Sequence, residues 1–270
     1  MARGLRSALT RPTLYAGVLG CALLLGLWYL TVDVLAVGRF AALPRLSDVV
    51  REWTSHHPLY GTSLFTHDYY VDIWISVRRV LEAFLLATVL GVPLGLVIGW
   101  SRRLREFSFP VLELVRPIPI LAWVPLAIVM FPHGEQPVIF LTFLSSFFVT
   151  TLNTMLGVQS IDRDLVRAAR SLGARPRDVF RTVVIPGALP YVMTGLQIAI
   201  GVAWFSLVAG EMVAGQSGLG YLINDSYTTT KYPTIVIGML TLGIVGFATS
   251  AVVRLISRRL LAYRSEAIGA

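Results

Sequence analysis

Five uncharged, strongly apolar runs constrain this 270-residue chain before any motif is considered: residues 14–32, 83–100, 136–161, 183–210 and 232–253. An α-helix needs about 20 residues to cross the hydrocarbon core of a bilayer, and backbone in that medium must satisfy its own hydrogen bonds. The runs therefore predict transmembrane helices. A sixth span, residues 109–131, is apolar apart from Glu113 and Arg116, and without it the flanking loops would fall on inconsistent sides. Composition agrees: 55% of residues are hydrophobic, 14% are charged and the mean hydropathy is +0.70, outside the range of soluble domains. The expected fold is an all-α integral membrane bundle of six transmembrane helices.

The net charge of +8 would ordinarily suggest nucleic acid or anionic lipid as a partner. Its distribution decides otherwise. Sixteen arginines fall in segments on one side: Arg3, Arg6 and Arg11; Arg102, Arg103 and Arg105; six between Arg163 and Arg181; and Arg254, Arg258, Arg259 and Arg264. The other side carries four basic residues, Arg39, Arg45, Arg51 and Lys231. Such a bias marks the arginine-rich side as cytoplasmic, with both termini there, and the basic character reports topology rather than nucleic-acid binding. Cys21 is the single cysteine, so no intrachain disulfide is possible. The five or so apolar residues before it are too few for a signal core, which makes Cys21 helix filler and residues 14–32 a retained span.

Three regions follow: residues 1–75, a cytoplasmic tail, first span and outside segment; residues 76–260, a core of five spans with a cytoplasmic element at 162–186; and residues 261–270, a cytoplasmic tail. In the outside segment, Ser47 precedes Val49, Val50 and Trp53 at helical spacing and predicts a short packing helix.

Residues 162–186 are the most structured of the cytoplasmic segments on paper. Asp162 can cap a helix, Asp164 and Arg170 complement its dipole at either end, and Gly173 supplies a left-handed stop. Leu165, Ala168, Ala169 and Leu172 form one face, while Arg163, Arg167 and Arg170 form a separate stripe. Pro176 suits the first position of a second helix, on which Val179, Phe180, Val183 and Val184 lie opposite Arg177 and Arg181, and Pro186 is expected to close it before the fifth span. A loop that only fixed orientation would need no caps, small-residue face or defined turn. A docking element needs all three, because close approach requires small side chains and a rigid shape.

The spacing Ala168-Ala169, three residues, Gly173, nine residues, Val183, one residue, Ile185-Pro186 resembles the EAA signature of ABC importer permeases. The blocks SVRRVLEAF (76–84), GVPLGLVIGWSR (91–102), RPIPILAWVPL (116–126), VIPGALPYVMTGLQIAIGVAW (184–204) and GEMVAGQSGLGYLI (210–223) resemble the subgroup importing taurine, alkanesulfonates, nitrate or bicarbonate. Arg167 departs from that pattern, standing where glutamate is usual. The resemblance implies the type I ABC importer (MetI-like) permease fold in the bacterial inner membrane. It implies a second permease copy, expected as a homodimer, two ABC ATPase subunits and an extracytoplasmic solute-binding protein. It also implies that Arg167, Ala168, Ala169, Leu172, Gly173, Arg177 and Pro186 couple to the ATPase.

The chain has no phosphate loop, since its only lysine, Lys231, lies in no glycine-rich setting. It is expected to be no enzyme and to bind no cofactor or metal, with ATP and magnesium used by the partner subunit. Gly215-Gln216-Ser217-Gly218 matches a short intramembrane serine-protease motif, but all four histidines, His56, His57, His67 and His133, precede Ser217 and lie in outside segments, so the triad logic fails. Charges inside spans require partners. Arg116 could pair with Glu113, three residues earlier, or attract an anionic substrate; Arg78, Arg79 and Glu82 allow the same two readings, and Glu211 reads as structural. Trp123, Gln197, Trp204 and Phe205 are candidates to line or gate a path. A gradient-driven secondary transporter and a non-transport membrane scaffold are the alternatives.

Overall fold

The computed structural model describes residues 12–35, 38, 43–132 and 134–261. Arg3, Arg6, Arg11, Arg39, His133, Arg264 and the 262–270 tail lie outside these, as does the side chain of Cys21. The described residues are helical, with no strand among them. They divide into two compact units, one formed by the chain up to Tyr69 with Ser226–Ile237, the other by Tyr70–Asp225 with the chain from Gly238 onward.

In the first unit, helix α1 (Pro12–Tyr29) runs on through a π turn at Leu30–Val34. Its leucines, Leu23, Leu24, Leu25 and Leu27, are exposed, as a face turned to lipid requires. Helix α2 (Leu46–Thr54) begins two residues earlier than Ser47 as a cap would place it: Arg45 holds the N-cap position and no side chain caps the end. The buried side of α2 carries Val49 and Glu52, and the Glu52 carboxylate accepts hydrogen bonds from the Leu59 and Tyr60 amides at 2.9 and 2.7 Å. This carboxylate ties the following loop back onto the helix.

The second unit is built around helices α3 (His67–Trp100), α4 (Arg102–Val115), α5 (Val124–Met130), α6 (Gln136–Gln159), α7 (Arg163–Ser171), α8 (Pro176–Val179), α9 (Ile185–Ala214), α10 (Leu219–Thr228) and α11 (Tyr232–Leu260), of which residues 67–69, 226–228 and 232–237 are counted in the first. Among the described residues, α3, α6, the α8–α9 rod and α11 are each long and apolar enough to cross a membrane. The span expected at 109–131 is not straight. It is a helix pair, α4 and Ile120–Met130, bent by 90°. The cause is RPIP: Pro117 and Pro119 lack the N–H that would continue the helix, and each disfavours helical geometry in the residue before it.

A second correction concerns Pro186. It does not close a helix, because Pro176–Ala214 runs as one rod of 39 residues. The chain passes through a π turn at Phe180–Val184, in which the Ile185 amide reaches back five residues to the Phe180 carbonyl. The turn resets the hydrogen-bond ladder, so Pro186 falls in the first turn of α9, where a missing donor costs little.

Close approach of α3, α6 and α9 makes the core. Gly91, Gly95 and Gly99 of α3, at four-residue spacing, face Thr150, Thr151, Thr154 and Val158 of α6. On the other side of α6, Gly157 receives Tyr191 and Gly195 of α9 receives Asn153. Lipid gives helices no hydrophobic reason to associate, so contacts of this kind, small residue against small or hydroxylated residue, supply the van der Waals energy instead. Along α9 the buried Leu196, Ala199, Ile200, Ala203 and Leu207 complete the core with Val80, Phe84 and Val138.

A Cβ on Gly95 would lie 2.5 Å from the Thr151 carbonyl oxygen and 2.6 Å from Thr154 Cβ, whereas one on Gly201 would meet nothing within 4 Å. Gly95→Ala should therefore lower the thermal unfolding midpoint of the detergent-purified chain, at a cost of about 1–3 kcal/mol, with Gly201→Ala unchanged. Equal midpoints for the two variants would contradict this packing.

Candidate functional site

Three places in the second unit carry chemistry. The first is the 162–186 element. Asp162 caps α7, its side chain accepting from the Asp164 amide at 2.9 Å. The helix ends in a Schellman turn: the Ala174 amide donates to the Ala169 carbonyl at 3.1 Å and the Gly173 amide to the Arg170 carbonyl at 2.9 Å. Gly173 has φ of 84°, the left-handed conformation that glycine adopts without Cβ strain. Arg175 then caps α8, with the Asp178 carboxylate accepting from its amide at 3.1 Å. The expected helix, glycine turn and second helix are thus all present.

The two stripes of α7 face different surroundings. Leu165, Ala168 and Leu172 are exposed, Leu172 at 89%. Leu165 and Leu172 thus stand open on one side of a capped helix. Arg163, Arg167 and Arg170 instead line a cavity of about 510 Å³ beside the ends of α3 and α6. Arg167 pairs locally with Asp164 at 3.0 Å, both groups exposed. Arg177 is exposed on α8, and Pro186 lies in the first turn of α9.

The second place is a buried ionic cluster joining α3 to the end of α9. The Glu211 carboxylate, fully buried, accepts from Arg79 Nη1 at 2.8 Å, from Ser76 Oγ at 2.9 Å and from the Gly220 amide at 2.8 Å. Arg79, 2% exposed, also donates to the Ser217 carbonyl and hydroxyl and pairs with Glu135 at 3.1 Å. Ser76 Oγ accepts from the Leu219 amide, and the Asp72 carboxylate from the Gly218 amide. Buried charges at this depth persist only with full pairing and added hydrogen bonds, which this cluster supplies. Arg78, half exposed, pairs with Glu82 and with Glu135.

Local pairing of Arg78 with Glu82 was legible in the sequence; the reach of Arg79 across to Glu211 was not. The available signal was a lone acid ending one long uncharged run and a lone surplus arginine entering another. Ser217 Oγ accepts from the Arg79 guanidinium at 3.0 Å and so belongs to the ionic cluster.

The third place is a cavity of about 500 Å³ where the bend after α4 meets α6 and α9. Arg116 lines it with Ile120, Ser145, Phe148, Val149, Leu152, Asn153, Leu156, Ile198 and Val202. The wall contains no carboxylate. The anticipated Glu113–Arg116 pair does not form: among the described residues Arg116 has no acidic partner within 4 Å. Arg116 caps the C-terminus of α4 at the 90° bend, and its guanidinium borders the cavity.

The remaining candidates lie elsewhere. Gln197 Nε2 donates to Ser257 Oγ at 2.9 Å and Trp204 Nε1 to Thr249 Oγ1 at 2.8 Å, so both fasten α9 to α11. Trp123 packs against Val124, Ala127 and Leu141. Phe205 is 73% exposed and borders a separate, mainly apolar depression with Trp204, Val208 and Met212. Ser145 and Asn153, the polar residues that do share the cavity with Arg116, carried no signal in the sequence beyond their place on an apolar helix. Among the described residues no three His, Cys, Asp or Glu side chains gather as a metal site.

Residues 91–262 match the family model described as binding-protein-dependent transport system inner membrane component. The chain is 33% identical over 239 residues to the nitrate import permease protein of Leptolyngbya laminosa, covering 88% of this chain and 84% of that one. It is 35% identical over 191 residues to the taurine transport system permease protein of Escherichia coli K12, covering 71% and 70%. Among solved structures, an inward-facing MetNI methionine ABC transporter shares the fold, with a TM-score of 0.60 at 21% identity over 71% of this chain and 95% of that one.

Removing one partner from a buried ion pair leaves the other charge uncompensated and costs about 3–5 kcal/mol. Arg79→Ala and Glu211→Ala should each abolish the monodisperse peak in size-exclusion chromatography of the detergent extract, while Arg78→Ala keeps it. Normal elution of Arg79→Ala would show that the cluster does not hold the unit together.

Proposed function

Because the chain belongs to the family of binding-protein-dependent transport system inner membrane components, we propose that it is the membrane pathway of an ABC importer for a small anion, with Arg116 in the path. An ABC permease of this family works with an ATPase and a binding protein. The observation that carries the substrate class is a guanidinium on a cavity of about 500 Å³ whose wall holds no carboxylate. Such a charge attracts an oxyanion, and its planar fork suits a sulfonate or nitrate. The nitrate and taurine relatives support the same class.

Transport in this reading is alternating access. Two copies of the chain, as a homodimer, enclose the path, and two ATPase subunits sit on the cytoplasmic side, using ATP and magnesium that this chain does not itself bind. Their contact is the exposed Leu165, Ala168 and Leu172 face of α7, with Gly173 holding the turn to α8. Movement of that face is carried into the bundle by the rod that begins at Pro176.

Two measurements test this. Arg116→Gln, reconstituted with its ATPase and binding protein, should raise the KM for uptake about 10- to 100-fold, the range expected for losing one charged hydrogen bond. Uptake kinetics unchanged in that variant would remove Arg116 from the path. Gly173→Val and Ala168→Glu should each eliminate copurification of the ATPase subunit without lowering the amount of membrane-inserted chain; an ATPase retained by both would place the docking surface elsewhere.

A further inference from the structure

The arginine stripe of α7 is turned away from the exposed apolar face, and its surroundings point to a ligand of its own. Arg163, Arg167 and Arg170 share the cavity of about 510 Å³ with Arg105 of α4. No carboxylate lines that cavity, and among the described residues Arg105, Arg163 and Arg170 have no acidic partner within 4 Å. The single neutralising contact, Asp164 on Arg167, is exposed on the helix itself. Arg163, Arg167 and Arg170 are exposed at the mouth of this cavity and Arg105 is half-buried, four positive charges whose mutual repulsion an anion among them would relieve.

Depth identifies the anion. The floor is made by Gly99 and Trp100, the last residues of α3, and by Val158 and Gln159, the last of α6. Both spans end at these residues, on the side that the arginine distribution assigns to the cytoplasm. A tryptophan at a span's end marks the headgroup level, and basic pockets between spans on that side suit lipid phosphates. Beneath the guanidinium groups, Val158 and Val184 are buried and apolar. The cavity therefore has a cationic mouth at headgroup height over an apolar base.

We propose that this cavity binds a phosphate-bearing anion, the headgroup of an anionic phospholipid, between α4, the ends of α3 and α6, and the inner face of α7. A lipid held there braces the docking helix from behind while its outer face remains free. This site is separate from the path lined by Arg116 and does not depend on which solute is carried.

The test is native mass spectrometry of the full-length chain, delipidated in detergent and then titrated with phosphatidylglycerol or with phosphatidylethanolamine. In the double variant Arg105→Gln/Arg170→Gln, retained phosphatidylglycerol should fall roughly tenfold or more, since each basic group at an anionic headgroup contributes a factor of about five. Retention of phosphatidylethanolamine should not change. A control, Arg258→Gln/Arg259→Gln, removes the same charge from the cytoplasmic end of α11 and should retain phosphatidylglycerol as the unaltered chain does. Inorganic phosphate forms the second arm: if it displaces the lipid and alone raises the thermal midpoint of the unaltered chain but not of the double variant, the site takes free phosphate as well. Equal phosphatidylglycerol retention by the double variant and the unaltered chain overturns the proposal, as does an equal fall in both double variants. Unchanged lipid retention with loss of the copurifying ATPase would assign the arginines to a protein contact instead.

Discussion

Everything in the second unit depends on how near α3, α6 and α9 come to one another. In water, apolar side chains would drive that association; in lipid they do not, and only direct packing rewards it. Glycines at four-residue intervals on α3 allow the α6 backbone to approach until threonine side chains fill the gap. α6 is used on both sides in this way, so it is the helix around which the others are arranged. The exposed residues of α3, such as Leu85, Leu86, Val89 and Val97, are large and apolar, as a lipid-facing surface should be. One helix thus carries two grammars, small residues inward and large ones outward.

The outer end is secured differently. Packing alone cannot fix a loop, and the segment after α9 has three glycines and little bulk. Glu211 and Arg79 replace packing with directed bonds, gathering Ser76, Ser217, the Leu219 and Gly220 amides and Glu135 into one network. Gly218, at φ of 103°, is the residue whose conformation lets the loop fold over the carboxylate. The cost of burying charge is offset because nearly every donor and acceptor there is satisfied, although Arg79 Nε remains without a partner.

Much of this was written locally and therefore readable. Asp162, Gly173 and Pro176 each act on their own few residues of backbone, and the helix, turn and helix they predict are present. The spans were readable because apolarity over about 20 residues has one structural meaning. What failed to read were features set by residues far apart or by competing local rules. RPIP contained the break in the third span, but average apolarity concealed it. Pro186 looked like a terminator, and only the π turn before it, which has no sequence signature, converts it into a helix start. Arg116 and Glu113 have the spacing of a pair, yet the bend at Arg116 gives the guanidinium a cavity to border. Arg79 and Glu211 lie 132 residues apart, and nothing local to either announces the other.

The π turn has a mechanical meaning as well. At about 1.5 Å per residue, Pro176–Ala214 is a rod close to 60 Å long, with α7 hinged at one end and Glu211 near the other. A loop between element and span would absorb a displacement as slack. A helix with one extra residue wound into it absorbs almost none, but it can twist, because the widened turn is the least tightly bonded point of the shaft. In the transport reading proposed above, such a joint would pass thrust along the rod more readily than torque, and the Arg79–Glu211 cluster anchors the end that the thrust would reach.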